Sequence, residues 1–153
     1  MLHFYRLLLA GTLVGALAGC SPKLSQALTA DELSAALPAG TPYALVHLYR
    51  PGRVVGFAVG YDVRLNDSVA YRARNASQGV VRHLKPGPVL LTAKTEAREQ
   101  LTLDVQPGRE YYVRCTLGMG ALVGQPHLEQ VGVVVGRKET AAIGSAPPPA
   151  GGN

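Results

Sequence analysis

The sequence predicts an all-β fold, an antiparallel β-sandwich of the transthyretin or immunoglobulin type, with a short N-terminal helix and a disordered C-terminal tail. Three observations predict it. Leu101, Leu103 and Val105 alternate with Thr102 and Asp104, and Tyr111, Val113, Cys115 and Leu117 alternate with Tyr112, Arg114 and Thr116, the period of half-buried strands. Pro51-Gly52, Pro86-Gly87 and Pro107-Gly108 punctuate these segments; Pro presets the second position of a type II turn and Gly accepts the positive φ of the third. No helical period intervenes between the strand segments, which argues against a parallel α/β sheet. At 153 residues the chain has the size of one domain. Its 47% hydrophobic content is enough to bury a core and excludes disorder throughout. Two cysteines exclude a disulfide-stapled scaffold.

Residues 1–20 carry one positive charge at Arg6, an apolar run from Leu7 to Ala18, and then Gly19-Cys20. This is the pattern of an export signal, and the run is shorter than the ~20 residues a spanning helix needs. The closing Leu17-Ala18-Gly19-Cys20 resembles the lipobox of bacterial lipoproteins. The resemblance implies cleavage before Cys20, acyl chains on that residue and, with Ser21 rather than Asp following, sorting to the outer membrane with the domain facing the periplasm. The expected division is a signal peptide over 1–19, a lipidated tether with a short helix over 20–42, a β-sandwich over 43–135 and a disordered tail over 136–153.

Within the tether, Thr29-Ala30-Asp31-Glu32 matches a capping box, and Leu28 and Leu33 stand where a hydrophobic staple would place them. Pro38 and Gly40 end the predicted helix, so it covers about 30–37. The remaining strands are expected at 43–50, 60–65, 69–74, 79–84, 88–95 and 127–135. Between the second and third of these, a three-residue loop of Asn66-Asp67-Ser68 would pair Leu65 with Val69, Val63 with Tyr71 and Asp62 with Arg72. The Ala, Gly and Pro composition from Thr140 to Asn153, including Pro147-Pro148-Pro149, predicts too little burial to offset ordering entropy.

Several segments, in order, resemble one family of bacterial lipoproteins, the domain of unknown function numbered 2846. They are Leu48-Tyr49-Arg50-Pro51-Gly52, Tyr61-Asp62-Val63, Ala93-Lys94-Thr95-Glu96-Ala97, the run from Leu101 to Gly108, Tyr111-Tyr112-Val113-Arg114 and Gly118-Met119-Gly120. The likeness covers about residues 44–131 and implies a small all-β envelope domain. It brings no established activity, so it transfers no catalytic residue.

Removing residues 1–19 takes only Arg6 from the charges, leaving 14 basic against 10 acidic residues over 134, or +4. In a cytoplasmic protein that bias would suggest nucleic acid; in an exported one the anions at hand are lipid headgroups and cell-wall carboxylates. With Cys20 acylated, Cys115 has no partner for a disulfide and falls on the inward face of its strand. His47, His83 and His127 are tens of residues apart, without the close spacing of metal ligands. No Ser stands in a nucleophile elbow. Gly118-Met119-Gly120 follows a strand and forms an apolar loop against the sandwich or the bilayer surface.

What stands out is Arg50, Arg53, Arg64, Arg72, Arg74 and Arg82, with no acidic residue between Asp67 and Glu96. In the register above, Arg64, Arg72 and Arg74 leave the sheet on the side opposite Val63 and Tyr71. The expectation is a non-enzymatic binding or assembly lipoprotein that needs no cofactor and no metal. It is held to the membrane through Cys20, and those three arginines contact another envelope protein, anionic lipid or peptidoglycan. The alternative is a periplasmic hydrolase whose site is assembled from distant residues such as His83 and Asp104.

Overall fold

The computed structural model describes residues 27–83 and 85–145. The expected signal peptide, the lipidated Cys20 and residues 146–153 therefore lie outside the described residues. The elements run α1 (Ala30–Leu33), β1 (Ser34–Ala36), β2 (Ala44–Arg50), β3 (Tyr61–Leu65), β4 (Ser68–Ala73), β5 (Ser77–His83), β6 (Gly87–Lys94), β7 (Arg98–Val105), β8 (Arg109–Gly118), β9 (Gln125–Val131) and α2 (Val133–Ser145). Two sheets stack face to face, the all-β sandwich that alternation predicts. One has the order β1-β8-β2-β5, with β9 also on β8; the other has the order β4-β3-β6-β7. Among the described residues every pairing is antiparallel except one: β2 and β8 run parallel, Val46 opposite Tyr111 and Leu48 opposite Val113.

The inward residues of both sheets form one core, with Val46, Leu48, Val63, Leu91, Leu103 and Val113 fully buried. Cys115 lies in that core with no exposure, as its strand position predicts. The core tyrosines keep their hydroxyls paired: Tyr61 donates to the Thr116 carbonyl at 2.7 Å and Tyr71 to the Ser77 carbonyl at 2.8 Å.

Five expectations are corrected. The capping box forms, with the Glu32 carboxylate accepting the Thr29 amide at 2.7 Å, but the helix stops at Leu33 instead of about 37. Residues Ser34–Ala36 pair with Tyr111, Glu110 and Arg109 instead. β9 covers β8 only from Tyr112 to Gly118, so β8's first residues on that side need another strand to take up their backbone groups, and β1 supplies it.

The tail is ordered through Ser145. The expected strand over 127–135 ends at Val131, and α2 begins at Val133. This helix lies on the outer face of the first sheet, where Tyr49, Tyr112, Val131 and Val133 form a second, smaller core with Ile143 beside it. Docking supplies what Ala and Gly composition does not, since most helical stability comes from tertiary packing.

The β3–β4 loop has two residues, not three. Asn66 and Asp67 both adopt positive φ (45° and 70°), the type I′ turn that suits the strand twist. Leu65 pairs with Ser68 and Arg64 with Val69, and a bulge between Val63 and Arg64 then restores Val63 to Tyr71 and Asp62 to Arg72. The single extra residue turns Val69 outward, 57% exposed, where the three-residue loop would have buried it.

The first Pro-Gly pair is not the expected turn. Gly87 and Gly108 have positive φ, but Gly52 does not, and Gly56 takes that role further out. Arg50 explains the shift. Its buried guanidinium donates to the carbonyls of Val59 at 2.5 Å, Gly56 at 2.7 Å and Ala73 at 3.2 Å, and so draws the loop's turn at Gly56 and Val59 in around it.

Candidate anion-binding groove

The face of the second sheet that points away from the core carries a cluster of basic groups. Period two places Asp62 and Arg64 of β3, Arg72 of β4, Thr92 and Lys94 of β6, and Arg98 and Gln100 of β7 on it. The register sets Arg64 beside Thr92, Thr92 beside Gln100 and Lys94 beside Arg98. These side chains line an open groove of about 720 Å³. Four cations, Arg64, Arg72, Lys94 and Arg98, face two carboxylates, Asp62 and Asp67, an excess of two positive charges.

The carboxylates neutralise this lining incompletely. Asp62 binds Arg72 at 2.9 Å, a pair with 52% and 44% of the side chains exposed, worth about 1 kcal/mol at most. Arg64 donates to the backbone carbonyl of Asp67 and leaves its carboxylate aside. Lys94 and Arg98 stand directly opposite each other across the β6–β7 hairpin, and among the described residues no carboxylate lies within 4.0 Å of either. Like charges opposed across strands destabilise a hairpin. Three guanidinium forks and an ammonium over one groove suit a phosphate or carboxylate, which would relieve that repulsion.

Of the three predicted arginines, Arg64 and Arg72 line the groove. Arg74 follows the end of β4, its amide donating to Ser77 Oγ at 3.0 Å, with its stem near Gly60 at the groove's margin. The other arginines separate by role. Arg50 is buried and structural; its guanidinium lies 5.7 Å from the centre of the Tyr61 ring. Arg82 covers the Tyr43 ring at 5.3 Å on the first sheet. Sequence reasoning missed Lys94 and Arg98. The short turn over 95–97 was the available signal, since it puts both on one face of a hairpin.

A second polar cluster lies beneath α2. Tyr49 donates to Glu139 at 2.6 Å, and Arg114 grips the same carboxylate through two nitrogens at 2.8 Å each while reaching Glu129 at 3.0 Å. Desolvation pushes the Glu139 carboxyl up, but the bonds from Arg114 and Tyr49 outweigh it and hold it below the usual range. Nearby, Arg137 of α2 pairs with the buried Glu110. His47 stacks on Tyr112 with centroids 4.4 Å apart, and its Nε2 sits 3.4 Å from Glu110 without a hydrogen bond. Burial pushes the His47 imidazole down by more than Glu110 raises it, so the ring stays neutral in the neutral pH range. This cluster clasps the helix to the sheet.

The remaining candidates are dispersed. His83 is on β5 and Asp104 on β7, in different sheets. His127 lies 3.3 Å from Glu99. Burial pushes the Cys115 thiol up to about 12, so it stays protonated. Among the described residues no three His, Cys, Asp or Glu side chains gather as metal ligands, and no helix is long and apolar enough to cross a membrane.

No family model matches this chain, and no curated protein matches it. Among solved structures, the N-terminal domain of AlgF from P. aeruginosa is similar, at 20% identity over 59% of this chain and 94% of that one, with a TM-score of 0.32.

Proposed function

We propose that this chain is a non-enzymatic binding or assembly module of the cell envelope, of the lipoprotein family it resembles, carried on the outer membrane by acyl chains on Cys20. Its groove of Arg64, Arg72, Lys94 and Arg98 receives an oxyanion presented by a neighbouring envelope component. The observation that carries the reading is the opposed Lys94 and Arg98, two cations held face to face with no carboxylate between them. A groove that open suits a group displayed on a surface better than an enclosed small molecule. Tethering matters as much as charge, because surface potentials fade within a Debye length of about 8 Å at physiological salt.

The test uses protein beginning at residue 21 with anionic vesicles and, separately, peptidoglycan sacculi. Weak binding that high salt removes is expected, and Lys94→Glu with Arg98→Glu, or Arg64→Glu with Arg72→Glu, should weaken it while leaving thermal unfolding nearly unchanged. Equal binding by wild type and both double variants would reduce these residues to ordinary surface charges. The anchor is tested apart: Cys20→Ser should abolish labelling by radioactive palmitate in cells, and persistent labelling refutes the acylation.

A further inference from the structure

One pole of the sandwich is apolar and exposed, its loops bonded to one another. The β2–β3 loop over 51–60 and the β8–β9 loop over 119–124 meet there: Gly56 packs against the Leu117 side chain at the end of β8. The β6–β7 turn joins them, with Thr95 Oγ1 donating to the Gly124 carbonyl at 2.6 Å and the Leu122 amide donating to Glu96 at 3.0 Å. Five large apolar side chains of the two long loops are about two-thirds exposed or more: Val54 at 88%, Val55 at 70%, Phe57 at 66%, Met119 at 88% and Leu122 at 92%. These loops are braced from behind. Arg50 fixes the first through the Gly56 and Val59 carbonyls, and Glu96 fixes the second. A fold that invests a buried arginine and a carboxylate in shaping two loops, yet leaves their apolar side chains in water, is presenting those side chains to something.

The surroundings say to what. Arg53, Arg74, Lys94 and Arg98 are exposed around the same pole. The Arg53 amide donates to Asn75 Oδ1 at 2.8 Å, which ties the loop to the end of β4, and Lys94 and Arg98 flank the turn that holds Leu122. Glu96 is the acidic residue among these loops, and its carboxylate is engaged by the backbone. The apolar side chains stand out from the loops, and the hollow lined by Gly52, Arg53, Val54, Phe57 and Asn75 is wide open to solvent. A protein partner would need a matching cavity; a bilayer interface accepts convex apolar groups without one, and its anionic headgroups complement a basic collar.

We infer that this pole is an interfacial membrane-insertion site, in which Val54, Val55, Phe57, Met119 and Leu122 enter the headgroup and acyl boundary of an anionic bilayer while Arg53, Arg74, Lys94 and Arg98 contact its phosphates. The inference goes beyond the groove reading: Lys94 and Arg98 border both surfaces, but Arg53, Arg74 and the five apolar side chains lie outside the groove's lining, so a groove filled by peptidoglycan would leave the loops' partner unchanged.

The chain contains no tryptophan, so Phe57→Trp introduces a single reporter at the tip. The full chain carrying it is reconstituted into vesicles of equal parts phosphatidylglycerol and phosphatidylcholine, with brominated lipid in either the host vesicles or vesicles added afterwards. Quenching of the tryptophan by brominated lipid from either source, weaker in phosphatidylcholine alone, is the expected result. Adding Val55→Asp with Leu122→Asp should abolish it without moving the thermal transition. Arg53→Glu with Arg74→Glu, which spares every apolar side chain, should reduce it in low salt. Arg64→Glu with Arg72→Glu, the test of the groove, should leave it in place. A tryptophan that no brominated lipid quenches overturns the inference, as does a tip found shielded by a second copy of the chain in crosslinking.

Discussion

Gly136 of α2 rests directly on the ring of Tyr112 in β8, so close that a β-carbon at that position would overlap the ring. The contact sets how near the helix can approach the sheet, and so whether Glu139 can meet Tyr49 and Arg114.

Gly136→Ala therefore pits two effects against each other. Alanine favours the helix by about 1 kcal/mol in isolation, but forcing a methyl group into a packed contact costs about 1–3 kcal/mol. The backbone of one element must move for the other to stay, so the steric term wins. Urea unfolding should show a net loss of about 1–2 kcal/mol; a stabilised variant would mean that α2 does not dock through this glycine.

Arg50→Met should be among the most damaging single changes in the domain. It takes the guanidinium away from the carbonyls of Val59, Gly56 and Ala73, of which Gly56 keeps the Val59 amide at 3.1 Å, and bonds from a charged donor contribute about 1.5–3 kcal/mol each. A loss of about 3 kcal/mol or more in chemical unfolding is expected. Arg50→Lys should recover less than half of it, because an ammonium cannot fork to three diverging carbonyls.

The His47 imidazole has its affinity for protons lowered by burial, against the smaller opposing pull of Glu110. The unfolded chain then binds a proton more readily than the folded one, so the contribution is fully present above the ordinary value of 6.5 and is lost as pH falls through the depressed folded value. Stability should decline as pH drops from about 7 toward 5, and His47→Gln should flatten that part of the profile. Thermal melts across this range check it; an identical slope in the variant assigns the decline to other groups.

The two turn residues should respond in opposite directions. Asp67 holds φ at 70°, which glycine does without strain, so Asp67→Gly should stabilise by about 0.5 kcal/mol. Asn66 also ties the turn to the neighbouring strand, since its Oδ1 accepts the Leu90 amide at 3.0 Å and its own amide donates to the Leu90 carbonyl at 2.9 Å. Asn66→Ala should cost about 1–2 kcal/mol. Equal effects of the two substitutions in denaturant unfolding would show that the turn's own backbone strain decides both.

The strands were legible because each alternates on its own, as Leu101, Leu103 and Val105 do, and the pairing of Val63 with Tyr71 followed from matching faces. The two-residue turn of that hairpin was not, because Asn66 answers to Leu90, a residue on a strand the local pattern does not include. Nor could Arg50 be told from Arg53 by type: one is buried among carbonyls and the other exposed, and the difference arises from the loop that wraps the first. α2 was illegible for a similar reason. Its composition is that of a tail, and it holds together through Glu139, whose partners Tyr49 and Arg114 come from strands distant in sequence. In the groove, Arg64 and Arg72 were found by alternation along one hairpin, while Lys94 and Arg98 needed the next hairpin to be laid beside it.

The parallel register of β2 and β8 bears on how the chain reaches this state. β2 is complete at Arg50, yet the strand that flanks it on one side begins at Arg109. Between them both hairpins of the second sheet, β3 with β4 and β6 with β7, can pair from neighbours in sequence, while one edge of β2 stays open until nearly three-quarters of the chain is available. A contact of such long sequence separation forms late and slowly. Until it does, Ala44–Arg50 presents an unpaired hydrophobic edge to any other strand nearby, so this protein's exposure to aggregation is concentrated in the interval before β8 arrives.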